Sequence, residues 1–465
     1  MNIQDTICAI ATAPGGAIGI IRVSGPDSIA LTEKIFTPIG KNKQPLSARQ
    51  PYTLSFGQIK NETGEVIDEV LVSLFRAPHS YTGEDSVEIS CHGSSYILQQ
   101  VMQLLIKNGC RAAGPGEYTQ RAFLNGKMDL SQAEAVADLI ASTSAATHRM
   151  AMNQMRGGFS RELSVLREKL LHLTSLMELE LDFSDHEELE FADRSELESI
   201  AQQIEAVIRH LVDTFSVGNA LKNGVPVAIV GETNAGKSTL LNALLNEERA
   251  IVSDIHGTTR DVIEDTMNLG GITFRFIDTA GIRETTDTIE SIGIERSFQK
   301  LDQADIVLWV IDATCATAQY QQLASQILPR CTNKHLVIVV NKADLVPDTS
   351  SIQLENLPSN AYIKYLSAKQ KEGLSDLQKE LINFAALPDL SQSDVVVSNI
   401  RHYEALSRAL EAIHRVQEGL TMQLPGDLVS QDLRECLHHL GEIVGGSIET
   451  DEVLGNIFKN FCIGK

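Results

Sequence analysis

Basic residues are scarce in this sequence relative to acidic ones. The 465 residues include 39 Lys and Arg against 61 Asp and Glu, which gives a formal net charge of −22. Proteins that bind nucleic acid through their own surface usually carry a basic footprint, and this composition excludes one that covers the whole chain. Any nucleic acid would therefore need a local basic patch or a partner protein that carries the positive charge.

Paired cysteines and long apolar runs are also missing. The seven cysteines are scattered without a CxxC motif, which predicts reduced thiols rather than a disulfide framework or a zinc site. No run reaches the ~18 apolar residues that a membrane-spanning helix needs. The N-terminus has Asp5 and lacks the basic start of a signal peptide. We therefore expect a soluble, cytoplasmic protein of two or three domains.

A glutamine is absent where many GTPases use one to orient the attacking water. A strand-like run ends in the motif DTAG, residues 278–281, and the next residue is Ile282, whose side chain cannot hydrogen-bond water. If the chain hydrolyses a nucleotide, another group must take this role. The residues alone leave several candidates open, namely Arg260, Arg283, Glu284, Asp287, Glu290 and a bound ion.

Apolar periodicity divides the chain into four segments. Residues 1–120 read as short strands with a helix, which predicts an α+β region. Residues 121–222 show helical spacing, beginning at a capping box predicted from Ser131 to Glu134. Strand-like runs alternate with helix-length segments over 223–386, which predicts a doubly wound parallel α/β sheet. Helical spacing resumes over 387–465, so we expect an α/β domain inserted into a helical domain.

A P-loop motif follows the first strand of the α/β segment. GETNAGKST, residues 231–239, fits G-x-x-x-x-G-K-[ST] and lies between a strand and an amphipathic helix. The glycines allow backbone N–H groups to surround phosphates, while Lys237 would neutralise the β- and γ-oxygens and Ser238 would hold Mg²⁺. The spacing and its context predict a nucleotide phosphate site.

Further motifs in the expected order predict that the nucleotide is GTP. In DTAG, Asp278 serves the magnesium shell and the Gly281 N–H serves the γ-phosphate. The motif NKAD follows a strand, and its Asp344 carboxylate can accept from two adjacent donors on guanine, whereas adenine would leave it partly unpaired. SAK, residues 367–369, completes the guanine pocket. Thr259 lies at the switch I position and would close on Mg²⁺ and the γ-phosphate.

Over its whole length the chain resembles the MnmE (TrmE) family of tRNA-modification GTPases. In chain order, the resemblance is carried by PGGAIGIIRVSG, SYTGEDSVEISCHG, EYTQRAFLNGKMDLSQAEA, GETNAGKSTLLNALL, DIHGTTRDVIED, DTAGIRE…IGIER and FCIGK. It implies an N-terminal tetrahydrofolate-binding and dimerisation domain, a discontinuous helical domain and an inserted Ras-like G domain. It also implies a potassium-dependent GTPase whose G domains dimerise.

The resemblance further implies a reaction and its partners. Members of the family install an aminomethyl or carboxymethylaminomethyl group at C5 of the wobble uridine of certain tRNAs. They use a tetrahydrofolate one-carbon donor, either the 5-formyl or the 5,10-methylene derivative. A homodimer works with a flavoprotein of the MnmG (GidA) type, as a heterotetramer or larger assembly, on tRNA and away from membranes.

The resemblance offers an answer to the missing glutamine. Asn234 matches the family's potassium-ligating asparagine, and Ser253, Ile255 and Thr258 would complete the K⁺ shell. Bound K⁺ would do the electrostatic work of an arginine finger. Glu290 matches the family's water-orienting glutamate. Ser253 stands where the family commonly has Thr, which affects only the fine tuning of the cation site.

The resemblance also implies a folate site in the N-terminal domain. Its residues are Arg22, Glu88, Lys127 and the terminal Lys465. A carboxylate suits the amino-pyrimidine edge of a pterin, and Arg or Lys suits the glutamate tail of folate.

The motifs and the resemblance together define the expected site residues. Asn234, Lys237 and Glu290 are expected to be catalytic, and Ser238 and Thr259 to bind Mg²⁺. The expected GTP-binding residues are Asn234, Ala235, Gly236, Lys237, Ser238, Thr239, Ser253, Asp254, Ile255, His256, Gly257, Thr258, Thr259, Asp278, Thr279, Ala280, Gly281, Asn341, Lys342, Asp344, Ser367, Ala368 and Lys369.

Two other functions remain open. A regulatory or ribosome-assembly GTPase of the Era/EngA type would have the switch as its only chemistry, but should also carry a basic RNA-binding appendage. A scaffold that uses GTP only as a structural ligand would leave Glu290 dispensable.

Overall fold

The computed structural model describes residues 5–13, 15–40, 44–182, 194–246, 265–277, 301–349, 352–354, 357–358, 361–385, 395–446 and 464. The chain forms two compact units. One consists of Met1–Ala141, Ala151–Ile208 and Glu404–Lys465, and the other consists of Ser142–Met150 and Arg209–Tyr403. Among the helices in the described ranges, none is both long and apolar enough to cross a membrane. The domain boundaries expected at residues 120, 222 and 386 stay predictions.

The first unit contains a seven-stranded sheet in the order β3-β4-β5-β6-β2-β1-β7. Its strands are β1 (Ile7–Ile10), β2 (Ile18–Ser24), β3 (Phe36–Pro38), β4 (Leu54–Lys60), β5 (Val66–Phe75), β6 (Ser86–His92) and β7 (Arg111–Ala112). Neighbours are antiparallel except β1 and β7, which are parallel. Alternate residues such as Ile21 and Ile89 are buried in a core shared with α1 (Ser28–Ile35) and α2 (Ser95–Lys107). The α+β expectation for this region is confirmed.

Helices follow the sheet as the apolar spacing predicts. They are α3 (Glu117–Leu124), α4 (Leu130–Ala141), α5 (Ala145–Met155), α6 (Gly158–Asp182), α7 (Arg194–Asp213) and α8 (Phe215–Asn223).

The predicted start of α4 is wrong, because Ser131 lies inside the helix and Asp129 caps it. The Gln132 N–H donates to Asp129 Oδ1 at 2.9 Å, and the Asp129 N–H donates to Gln132 Oε1 at 3.0 Å. This reciprocal pair is a capping box displaced by two residues from the predicted one. Asp-x-x-Gln and Ser-x-x-Glu both satisfy the spacing, and Ser131 donates its hydroxyl to Asp129 instead.

The second unit contains a six-stranded sheet in the order β13-β12-β11-β8-β10-β9. Its strands are β8 (Val225–Val230), β9 (Asp265–Leu269), β10 (Ile272–Phe276), β11 (Ile306–Asp312), β12 (His335–Asn341) and β13 (Ala361–Tyr365). One face of the sheet, which includes Leu308, forms a core with α9 (Lys237–Asn246) and α11 (Leu374–Phe384). The other face, which includes Trp309, forms a core with α10 (Ala316–Ile327). The doubly wound α/β class is confirmed.

One strand of this sheet was not expected from the sequence. β9 pairs antiparallel with β10, whereas all other neighbours in the sheet are parallel. Gly270 and Gly271 connect the two strands with φ of +59° and +84°, as a two-residue hairpin turn of the I′ type requires. The Gly-Gly pair between two apolar runs was the available local signal.

Two long helices follow the second sheet. They are α12 (Ile400–Thr421) and α13 (Gly426–Val444). Within the first unit, α13 packs along α6 and buries Leu433, Cys436 and Leu440 at helical spacing. The helical pattern expected after residue 387 is confirmed where the chain is described.

Candidate functional site

The P-loop lies at the carboxyl edge of the six-stranded sheet, between β8 and α9. Gly231 has φ of +142°, and a Cβ there would lie 2.1 Å from the Val310 carbonyl oxygen. Gly236 has φ of +95°, and a Cβ there would lie 2.1 Å from Asn341 Nδ2. Only glycine fits both the backbone angle and the space at these positions. Asn234 is exposed in the same loop, with φ of +64°.

Lys237 begins α9 and folds back over the P-loop. Its Nζ donates to the carbonyl oxygens of Gly231 at 2.7 Å and Glu232 at 2.5 Å. Burial lowers the pKa of Lys237, and the nearby Glu232 carboxylate only partly opposes this shift. An ammonium group held by neutral carbonyls at the start of a helix can exchange those partners for phosphate oxygens.

Asn341 connects the P-loop with the SAK loop. Its buried side chain donates from Nδ2 to the Ala235 carbonyl oxygen at 2.9 Å and accepts at Oδ1 from the Ala368 N–H at 3.0 Å. The Ala343 N–H donates to the Leu366 carbonyl oxygen at 3.1 Å, which is a second connection between the NKAD and SAK loops. The structure therefore brings three of the sequence motifs into one constellation.

Lys342 and Asp344 have different surroundings within the NKAD motif. Lys342, with φ of +61°, donates from Nζ to Asp312 Oδ2 at 2.6 Å. Burial raises the pKa of the Asp312 carboxyl, but the ion pair with Lys342 and the hydrogen bonds from Thr314 outweigh it, so that pKa lies below its ordinary value. Asp344 is exposed. Asp312 was not singled out in the sequence.

The structure also describes the remaining P-loop and SAK residues. Ser238 and Thr239 are exposed in the first turn of α9, while Ala235 is buried in the loop. Ser367 and Ala368 are buried, and Lys369 is exposed.

Both switch segments lie outside the described residues. The predicted residues concerned are Ser253, Asp254, Ile255, His256, Gly257, Thr258, Thr259, Asp278, Thr279, Ala280, Gly281 and Glu290, together with Ile282 and the terminal Lys465. Their roles stay predictions.

In the first unit, Arg22 and Glu88 form one charged pair. They face each other in the register of β2 and β6, and Arg22 donates from Nε at 2.9 Å and from Nη2 at 2.7 Å to Glu88 Oε1. The guanidinium carbon lies 5.4 Å from the Tyr81 ring centroid and 5.6 Å from that of Tyr118. The Arg22 guanidinium therefore lies within cation–π distance of two aromatic rings and is paired with a partly exposed carboxylate.

The end of the chain reaches this pair. Arg22 Nη1 donates to the Gly464 carbonyl oxygen at 3.2 Å, and Gly464 itself is buried against Ile10 and Ala11. Lys127 belongs to another contact, because its Nζ donates to the Pro78 carbonyl oxygen at 2.9 Å. The loop between β5 and β6 supplies both Pro78 and Tyr81, so Lys127 and Arg22 contact the same loop.

Sequence reasoning missed a buried ionic network behind this pair. Arg121 is 1% exposed; it donates to the Asp5 carboxylate at 2.6 Å, to Glu117 at 3.0 Å and to Glu84 at 3.2 Å. The hydrogen bond from Arg111 is the largest contribution that lowers the pKa of Asp5. Five charged side chains satisfy one another here, and only the Glu117–Arg121 pair on α3 has the i,i+4 spacing that a sequence can reveal.

In a comparison with known proteins, two family models match successive parts of the chain. The family model for the MnmE helical domain matches residues 130–462, and the model for the GTP-binding protein TrmE N-terminus matches residues 6–127. The tRNA modification GTPase MnmE of Bacteroides thetaiotaomicron is 68% identical, over 99% of this chain and 100% of that protein. The proteins of the same name from Phocaeicola vulgatus and Flavobacterium johnsoniae are 64% and 53% identical, each over 99% of both chains.

Proposed function

The chain belongs to the MnmE family of tRNA modification GTPases and is therefore a GTP hydrolase that acts in tRNA modification, and we propose that its activity depends on potassium. We also propose that it uses a folate and a flavoprotein partner. The observation that best supports the GTP site is the Asn341 bridge, which joins the phosphate loop to the SAK loop through two hydrogen bonds. GTP is the substrate and Mg²⁺ its metal.

For GTP, we propose that Lys237 exchanges its two carbonyl partners for β- and γ-phosphate oxygens. The exchange is favourable because the lysine is already buried beside the loop and gains charged acceptors. Ser238 and Thr259 would hold Mg²⁺, and Asp344 would read guanine. The exposure of Ser238 and Asp344 in the described loops supports both assignments.

For hydrolysis, we propose that Asn234 holds K⁺ together with Ser253, Ile255 and Thr258. An exposed amide in the P-loop, on a backbone with φ of +64°, is the kind of oxygen donor that a monovalent cation needs. Bound K⁺ would supply positive charge for the transition state. Glu290 would orient water in place of the glutamine that Ile282 replaces.

For the one-carbon donor, we propose a folate site around Arg22 and Glu88, with Lys127 and Lys465 as further contacts. The donor set fits folate chemically, since Glu88 can accept from a pterin and Arg22 can bind a carboxylate. Two tyrosines flank Arg22, and the Gly464 contact brings the chain end to the same guanidinium. A tetrahydrofolate would carry the carbon that is transferred.

We further propose the partners and the product. A homodimer, with a flavoprotein of the MnmG type, would install an aminomethyl or carboxymethylaminomethyl group at C5 of wobble uridine. The net charge of −22 supports a scheme in which the flavoprotein makes most phosphate contacts with tRNA. Phe56 and Leu71, register partners on β4 and β5, are both exposed and offer an apolar patch for a second copy of the chain.

Mass spectrometry of wobble nucleosides tests the proposal in cells that lack this chain. We expect the C5-modified uridines to disappear and to return with the wild-type gene, but not with Lys237→Ala. A ribosome-assembly GTPase of the Era/EngA type would instead leave these nucleosides intact and disturb the ribosomal subunit profile.

A further inference from the structure

Helix α13 carries two consecutive histidines next to a carboxylate. His439 Nδ1 lies 3.1 Å from Glu442 Oε2, and His438 Nε2 lies 3.7 Å from Glu442 Oε1. One donor atom from each of the three residues lies within 4.8 Å of the other two. Residues three and four apart share a face of a helix. We propose that His438, His439 and Glu442, the His-Glu cluster, bind a divalent transition-metal ion of the zinc class.

A second carboxylate, Glu435, lies on the side of the His439 ring that faces away from Glu442. Glu435 Oε1 lies 3.6 Å from His439 Nε2, the ring nitrogen that faces away from Glu442. Arg415 holds Glu435 in turn, through a hydrogen bond of 2.6 Å from Nη2 to Oε2. Metal-ligating histidines commonly donate their second ring N–H to a carboxylate, which fixes the tautomer and the orientation of the ring. A shift of a few tenths of an ångström would bring Glu435 within hydrogen-bonding distance of His439 Nε2.

The donor set selects the class of metal. Imidazole nitrogens with one carboxylate suit Zn²⁺, Co²⁺ and Ni²⁺, whereas Mg²⁺ prefers oxygen ligands in an octahedron. His439 is 13% exposed, Glu442 33% and His438 56%, so the cluster is anchored on one side and open to water on the other. The remaining coordination positions would belong to solvent. The Mg²⁺ that accompanies GTP would therefore not compete for this site.

The position of the cluster gives metal binding a structural consequence. It occupies the last two turns of α13, which ends at Val444 with Gly445 as its C-cap. A cation is favourable at a helix C-terminus, and a chelate across one turn resists fraying of the helix. After Gly446, the next residue that the structure describes is Gly464, which contacts Arg22. A bound metal would thus stabilise the helix from which the C-terminal segment departs.

Titration calorimetry tests the proposal on untagged, full-length protein that has been stripped with a chelator and kept reduced. Zn²⁺ and Co²⁺ are titrated in buffer that contains Mg²⁺, in a Cys315→Ser background because Cys315 is an exposed thiol. We expect one saturable site that is lost in His439→Gln and in Glu442→Gln. Glu435→Gln should weaken Zn²⁺ binding by about 10- to 100-fold, as expected of a supporting carboxylate.

A matched control separates this site from nonspecific histidine binding. His414 pairs with Glu205 at 3.2 Å and, within the described residues, belongs to no cluster of three possible metal ligands. His414→Gln should keep the site, and Zn²⁺ should raise the melting temperature of this variant and of wild type but not of His439→Gln. Circular dichroism verifies that each variant is folded. Equal Zn²⁺ isotherms for wild type and His439→Gln, or an equal loss in His414→Gln, overturn the proposal.

Discussion

Asn341 donates a hydrogen bond to the Ala235 carbonyl oxygen at 2.9 Å, across a sequence separation of 106 residues. The same side chain accepts from the Ala368 N–H, so one amide joins the phosphate loop to the SAK loop. A buried amide with two satisfied partners fixes both loops relative to each other. We therefore expect the proposed recognition of the base and of the phosphates to be coupled through Asn341.

Asn341→Ala should weaken both the fold and nucleotide binding. The change leaves the Ala235 carbonyl and the Ala368 N–H without their partner in a buried place, which costs about 1–3 kcal/mol. We expect that loss in urea unfolding and a fall in GDP affinity of about tenfold or more in fluorescence titration. Asn333→Ala, an exposed asparagine of the same unit, should change neither quantity. Unaltered GDP affinity in Asn341→Ala would refute the coupling of the two loops.

Gly236→Ala should abolish nucleotide binding through a clash rather than through backbone strain. The new Cβ would lie 2.1 Å from Asn341 Nδ2, and that amide cannot withdraw without losing its bond to Ala235. Gly271→Ala is the matched control, because Gly271 also has positive φ, +84°, but nothing lies within 4 Å of its Cβ. Both variants should lose about 1–2 kcal/mol of stability from left-handed alanine. If Gly271→Ala impairs GTP binding as much as Gly236→Ala, the clash is not the cause.

Local chemistry explains which parts of the site could be predicted. Gly231, Gly236 and Lys237 were predictable because the P-loop is one short segment whose spacing dictates its backbone. The bridge made by Asn341 was not, since its partners come from segments that only the folded sheet brings together. The same holds for the contacts of Arg121 with Glu84 and Asp5, which lie 37 and 116 residues away. Its third partner, Glu117, is an i−4 neighbour on α3. At α4 the local signal was ambiguous, because Asp129 and Ser131 each begin a valid capping box.

Asp312→Asn should destabilise the second unit at neutral pH but less in acid. Asparagine keeps the acceptor for Thr314 and removes the charge that pairs with Lys342. The folded pKa of Asp312 is lowered, so its contribution is fully present above the unfolded value of about 3.9 and is lost as pH falls through the folded pKa. In urea unfolding, the difference in free energy of unfolding between wild type and Asp312→Asn should therefore be constant from about pH 7 to 5 and should become smaller below about pH 4.

Asp302→Asn is the control for that titration. Asp302 pairs with Arg330 at 2.7 Å, but its side chain is 52% exposed, and such surface pairs contribute little. We expect the free energy of unfolding of this variant to be almost equal to that of wild type at every pH. If the free energy of unfolding of Asp312→Asn falls further below that of wild type as the pH is lowered, the pKa of Asp312 is not lowered in the folded protein.

Arg22→Ala should lower the affinity for 5-formyltetrahydrofolate by about tenfold or more in calorimetry, because a charge-assisted hydrogen-bond donor is lost. Arg22→Lys should recover part of the affinity, since it keeps the charge but not the planar fork. The fold should survive, because Tyr118 bonds to the backbone oxygen of Arg22 rather than to its side chain. Arg76→Ala, which removes a partly exposed arginine paired with Asp85, is the control. An unchanged isotherm for Arg22→Ala would move the folate site elsewhere.

Asn234→Gly should remove the advantage of K⁺ over Na⁺ in GTP turnover. Glycine accepts the φ of +64° at this position without strain, so the variant deletes the amide oxygen and leaves the loop conformation intact. Wild type should turn over GTP about 10²-fold faster in K⁺ than in Na⁺ at equal ionic strength, if K⁺ stabilises the transition state as a positioned electrostatic group does. The variant should be equally slow in both salts while it still binds GTP, and Thr233→Ala, next to it in the loop and also exposed, should keep the preference for K⁺. Equal wild-type rates in the two salts would remove the role given to Asn234.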